Sequence, residues 1–183
     1  RLALARWLTS PDTPLTARVA VTHIWMRHFD QPLVERVFDF GLRSERPRFA
    51  DLLDWLAVRF ARDGWSMKQL HKRIVTSGVY RLSSATVDAP ARNREQDPDN
   101  LAFWHMNARR MEAEVVRDSL LHAGDSLDRT MGGAPIDHQQ GQAVMRRSIY
   151  FRQDKERQMT FLSLFDGAKV NECYERKSTV APQ

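Results

Sequence analysis

Cysteine is almost absent from this chain: Cys173 is the only one among 183 residues. An intrachain disulfide is therefore excluded, as is a metal site of several thiolates. Long apolar runs are missing too, none exceeding four residues, so nothing reads as a membrane span or the hydrophobic stretch of a signal peptide. Eight glycines and eight prolines are too few for a collagen-like or low-complexity chain. Neither Cys-x-x-Cys-His nor His-Glu-x-x-His occurs, so this segment cannot attach haem covalently and lacks the zinc-protease pattern.

What is present suits a folded, basic domain. Seventeen aromatics (nine Phe, five Trp, three Tyr) stand beside many Leu and Val, enough for a sizeable core. Lys and Arg total 28 against 23 Asp and Glu, a net charge of +5. The excess is uneven. Residues 43–81 hold nine basic and four acidic side chains, 146–157 five and two, while 82–104 hold two and four. A basic segment attracts nucleic acid, an anionic surface or an acidic partner, although a solvated helix face is the commoner outcome.

Periodicity predicts helices. Residues 2–10 form a short one, stopped by Pro11. Thr13-Pro14 opens a second, running to about Phe29 with Leu15, Val21, Ile24, Trp25 and His28 near one face. Residues 31–46 read as a connection tied down by Val34, Val37, Phe38 and Phe40. A helix over about 47–62 carries the stripe Leu52, Leu53, Leu56 and Phe60, with Gly64 placed to end it. Ser66 and Gln69 have capping-box spacing for the next helix, with Leu70, Ile74 and Val75 inward. Residues 82–100 and 130–145 read as long surface loops. Between them lies a long helix over about 101–123 with a break near Asn107, its inner side drawn from Met111, Val115, Leu120 and Leu121. Ser148-Ile149-Tyr150-Phe151 reads as a short strand, and Phe161, Leu164 and Phe165 suggest a helical turn or two. The expected fold is mostly α: a single domain over 1–183, a bundle of about five helices with long loops and room for one short strand pair near 148–151. Starting in helix at Arg1, it reads as a fragment of a longer multidomain protein.

Candidate functional residues compete with ordinary structural roles. Six histidines invite a metal, but His23 and His28 lie five apart, about 140° around a helix, so no metal site is expected from their spacing. The helix pair over 47–62 and 66–77, with Lys68, His71, Lys72 and Arg73, has the form of a helix-turn-helix nucleic-acid binder, yet any antiparallel helix hairpin gives the same pattern. Arg109, Arg110, Glu112, Glu114, Arg117 and Asp118 crowd one helix. A surface lattice of charges three and four apart explains them better than acid–base chemistry unless a pocket supplies partners. The least ordinary part is 147–179, where Arg147, Tyr150, Asp166, Asn171, Cys173 and Arg176 are the candidates for a catalytic cluster; nearby cations favour the Cys173 thiolate.

Several segments in register resemble a known family. They are Leu2-Ala3-Leu4-Ala5-Arg6-Trp7-Leu8, Pro14-Leu15-Thr16-Ala17-Arg18-Val19, Asp39-Phe40-Gly41, Leu52-Leu53-Asp54-Trp55-Leu56-Ala57, Gly64-Trp65-Ser66 and Ile74-Val75-Thr76-Ser77. Asp97-Pro98-Asp99-Asn100, Arg109-Arg110-Met111-Glu112-Ala113-Glu114, Met131-Gly132-Gly133 and Ser178-Thr179-Val180-Ala181-Pro182-Gln183 follow in order. Together they resemble a planctomycete-specific domain family of unknown function, number 1553 in its series. The resemblance implies context more than chemistry. Such domains sit at the C-terminal end of long exported bacterial proteins, often after a c-type-cytochrome-like domain, and the family pattern continues past Gln183. It implies an extracytoplasmic address, neighbouring domains of the same polypeptide as partners, and no cofactor in this segment, with haem c elsewhere in the full-length protein. The family has no established activity to carry over. Two departures stand out: Thr22-His23-Ile24-Trp25 where relatives tend to have Asn-Arg before the Trp, and Asp30 where Gly is usual.

The functional expectation is an interaction or packing module, its basic segment facing an acidic protein surface or an anionic polymer. The alternatives are part of an enzyme, redox-linked or acting on an anionic polymer, with its site in 147–179, and then a nucleic-acid binder.

Overall fold

The computed structural model describes residues 1–37, 44–154, 157–165 and 167–168. The chain divides into two compact units, Arg1–Arg109 and Arg110–Gln183. It is mostly helical, with about five substantial helices joined by long loops, and among the described residues no strand forms.

Unit 1 contains α1 (Leu2–Leu8), α2 (Pro14–Phe29), α3 (Ala50–Arg62), α4 (Met67–Val75) and the short α5 (Ala91–Gln96). Proline at its first position starts α2, where a missing N–H costs nothing. Asp30 ends it in a left-handed conformation, its N–H donating to the Met26 carbonyl. The buried face of α2 is Ala17, Val21, Thr22, Trp25 and Phe29, while the expected Leu15 stays exposed. On α3, Leu53, Leu56, Ala57 and Phe60 recur at 3, 4 and 7 residues, the spacing of one helix face, and all four are buried. Pro47 precedes this helix by three residues rather than opening it.

The turn into α4 uses two left-handed residues, Gly64 (φ 68°) and Trp65 (φ 60°). Glycine takes that conformation freely, whereas tryptophan adopts it at a cost of order 1–3 kcal/mol. Two contacts hold Trp65 there: its N–H donates to the Phe60 carbonyl at 3.0 Å, and its ring meets that of Phe60 edge-on at 5.3 Å. The Ser66 hydroxyl then caps α4 by accepting from the Gln69 N–H at 3.3 Å. Leu70 and Ile74 turn inward, but Val75 does not. Trp25 stacks on Phe29 at 4.1 Å, and Phe103 meets both rings edge-on, closing an aromatic core between α2, α3 and α4.

The long helix expected over 101–123 does not form; α6 is confined to Ala113–Ala123. Asp97 and Asn100 are the reason, because short polar side chains offer the backbone alternatives to helix. The Asp97 carboxylate accepts from the N–H groups of Leu101 and Ala102. Buried Asn100, at φ 53°, donates to the His105 carbonyl and to Asn107, and Asn107 donates to the Phe29 carbonyl. Phe103, also at positive φ, is thereby delivered to the core.

Unit 2 contains α6 and the five-residue α7 (Thr160–Leu164). Among the described residues its apolar cluster comprises Ala113, Ile136, Phe151, Met159 and Leu162. Met111, Val115 and Leu120, expected inside, are exposed, and the buried face of α6 is Ala113 and Arg117. The expected strand at 148–151 is instead a single 3₁₀ turn, Ser148–Tyr150. Among the described residues, pairing in unit 2 consists of isolated bridges, Ile136 with Phe151 and Asp128 with Arg146.

Candidate functional site

The floor of unit 2 is organised by one cation. Arg117 leaves 6% of its side chain exposed. One guanidinium nitrogen donates to the Arg146 carbonyl (2.8 Å) and the Ser148 hydroxyl (3.3 Å), the other to the carbonyls of Val144 (2.6 Å) and Gly141 (3.2 Å). The guanidinium also lies 4.9 Å from the centre of the Phe151 ring. Burial pulls its pKa below the ordinary range, and neighbouring Asp118 pushes it back up. Four short loop carbonyl and hydroxyl contacts on one planar fork explain why this loop-rich stretch has a definite shape.

Three consecutive residues then point to three tasks. Arg146 stacks on the Tyr150 ring at 4.1 Å and donates to the carbonyls of Thr130 and Gly132. Tyr150 accepts the Gly132 N–H on its phenol oxygen at 2.9 Å, so the left-handed Gly132-Gly133 bend is held at its neck. Arg147 turns the other way, its Nε 3.8 Å from Asp118 Oδ2. Ser148 is buried, its N–H donating to Asp118 Oδ1 at 2.8 Å. Asp118 therefore has one oxygen fixed by the backbone and the other facing a partly exposed arginine.

Above this floor lies a groove of about 950 Å³. Glu114, Asp118, Ser119 and His122 of α6 line one side, and Arg129, Met131, Arg147, Ile149 and Gln153 are among its other walls. Gln153 donates to Glu114 at 3.3 Å, and Arg129 reaches His122 Nδ1 at 3.2 Å. The pocket partners that sequence reasoning lacked for the α6 carboxylates are thus present. Of the catalytic candidates, Arg147 lines the groove, whereas Tyr150 is engaged with Arg146 and the Gly132 bend. Asp166, Asn171, Cys173 and Arg176 lie outside the described residues. Asp118, which the sequence places in a charge lattice, and His122, which it does not single out, are one helical turn apart, and that spacing is the signal linking them.

Unit 1 offers different surfaces. α1 buries nothing: Leu2, Leu4, Trp7 and Leu8 are 64, 59, 60 and 40% exposed. Trp55 and Val58 of α3 are also exposed, and Val58 borders a groove of about 560 Å³ with Pro11, Ala57 and Trp65. Of the four residues proposed to read nucleic acid, two are engaged within the unit. Arg73 pairs with Asp63 at 2.7 Å, and His71 Nδ1 meets His28 Nε2 at 2.7 Å. Lys68 and Lys72 are exposed. Among the described residues, no three His, Cys, Asp or Glu side chains gather as a metal-binding group, and no helix is long and apolar enough to cross a membrane.

The chain matches, over residues 1–183, the family described as PSD1: Protein of unknown function (DUF1553), and it belongs to that family. No curated protein and no solved structure matches it.

Proposed function

We propose that this DUF1553 domain is a docking module of a larger, exported, cytochrome-associated polypeptide, with neighbouring domains of the same polypeptide as its first partners. The observation that carries this is α1. An isolated seven-residue helix is marginal in water, and full burial of each large apolar side chain is worth about 1.5–3 kcal/mol. Four such side chains displayed on one short helix form a surface that gains by being covered. The exposed Lys68 and Lys72 add a basic patch suited to an acidic surface or an anionic polymer. Export and the cytochrome link rest on the family resemblance.

The test is a Leu4→Glu/Trp7→Glu pair placed in both this chain and the full-length natural protein. In the chain alone, the pair leaves the melting temperature unchanged and lowers binding of an apolar-surface dye severalfold. In the full-length protein it loosens the module, seen as faster limited proteolysis. Unchanged proteolysis of the full-length variant would sink the proposal. Cell fractionation and haem staining of the full-length protein check compartment and cytochrome association.

A second reading, part of an enzyme, is favoured by Asp118, His122 and Arg147 sharing one groove. Substituting Asp118→Asn in the full-length protein abolishes any turnover that depends on this groove, and turnover that survives the change refutes it.

A further inference from the structure

One feature of unit 1 that spacing along the sequence does not disclose is a histidine pair. His28 on α2 and His71 on α4 are 43 residues apart in the chain, yet His28 Nε2 and His71 Nδ1 are 2.7 Å apart. We propose that His28 and His71 form a two-histidine site for a tetragonal divalent transition-metal ion of the copper(II) or nickel(II) kind, with water completing the coordination.

The distance selects the geometry. Imidazole nitrogens bind such ions at roughly 2.0 Å, so two donors in adjacent square positions sit about 2.8 Å apart, whereas tetrahedral positions require about 3.3 Å. The observed 2.7 Å is close to the square separation, and binding turns the two rings so that their lone pairs leave the nitrogen–nitrogen line and meet at the ion. The rings cross at 68°, and Tyr80 packs edge-on against both His28, at 5.5 Å, and Phe29, which ties the pair to the aromatic core. His71 is exposed and His28 half-buried, so an ion reaches the pair from solvent.

The proton balance is simple. In the neutral pair, one of the two facing nitrogens carries a hydrogen and the other accepts it. Metal binding needs a lone pair on both, so the donor ring moves its proton to its outer nitrogen, a tautomer change that releases no net proton from the pair. Copper(II), the strongest binder of the divalent series, is the ion of choice.

The test uses the full chain carrying Cys173→Ser, so that the single thiol neither binds nor reduces copper. Copper(II) is titrated at pH 7.5 and the bound ion is read by electron paramagnetic resonance. One equivalent is expected, with hyperfine coupling to two imidazole nitrogens. His71→Gln, an exposed position that leaves the fold intact by circular dichroism, lowers affinity at least tenfold and leaves one coupled nitrogen. His28→Gln does the same where it folds, and His122→Gln changes neither. Parental affinity or two coupled nitrogens in His71→Gln overturns the proposal, as does loss of the site in His122→Gln.

Discussion

The two units are built on different physics. Unit 1 packs Val21, Trp25, Phe29, Leu53, Leu56, Phe60, Leu70 and Ile74 from three helices into one core. Among the described residues, unit 2 has five buried apolar residues in its cluster and places a guanidinium and a hydroxyl, Arg117 and Ser148, among its most buried groups. Apolar packing is non-directional and tolerates changes of partner. A buried fork of hydrogen bonds does not: it specifies which loops meet and penalises any vacancy. The first unit is held by volume, the second by direction.

That contrast can be broken experimentally, and all five tryptophans, lying within residues 1–109, make unit 1 separately readable by fluorescence. The largest effect is expected from Phe29→Ala, which removes the ring shared by Trp25, Tyr80 and Phe103. It should cost about 3–5 kcal/mol in the tryptophan-monitored denaturation. Arg117→Met keeps similar volume but strands three carbonyls and the Ser148 hydroxyl, for roughly 3 kcal/mol read as lost amide-exchange protection in α6. Arg117→Lys should recover little, because an ammonium lacks the planar fork. If the methionine variant costs under about 1 kcal/mol, unit 2 is held by its apolar cluster after all. Ser66→Ala, which removes the α4 cap, should cost about 1 kcal/mol in the tryptophan transition alone.

The smallest effects are in acid. Burial first, and then Arg27, hold the His23 pKa below the ordinary 6.5. The folded state thus binds this proton less readily than the unfolded chain. The corresponding stability is complete above pH 6.5 and fades as pH falls through the depressed value. His23→Gln should flatten that part of the tryptophan-monitored pH profile. In unit 2, hydrogen bonds from Thr130, with a further contribution from Arg146, hold Asp128 below 3.8. Its contribution is complete above that pH and is lost below it, so Asp128→Asn should blunt the acid response of unit 2 slightly.

The same contrast explains what was legible. α2, α3 and α4 could be read because their inward residues recur at helical spacing and Pro14, Gly64 and Ser66 punctuate them. Phe103 could not be placed, since its burial depends on Asp97 and Asn100 bending the chain rather than on periodicity. On α6 the apolar pattern misled: Met111, Val115 and Leu120 look inward-facing in the sequence, but the position that turns inward carries arginine. Nothing local distinguishes a guanidinium that binds distant carbonyls from one bathed in water. Nor does spacing along one helix reveal a histidine whose partner comes from another. The groove is half legible: Arg147 stands out in the sequence, while Asp118 reads as part of a surface lattice because its partners come from residues 147–148.

Arg117 has a further consequence for the order in which the polypeptide is made. Its four acceptors come 24 to 31 residues later in the chain. On the ribosome, α6 therefore emerges with its inward cation unmatched, and hydration is the better option until Ser148 has been synthesised. Closing that span is an entropic cost met before any of the four bonds forms. The Arg117 fork is thus completed late, while the helices before Arg109 have their described core partners within reach once Met106 is out.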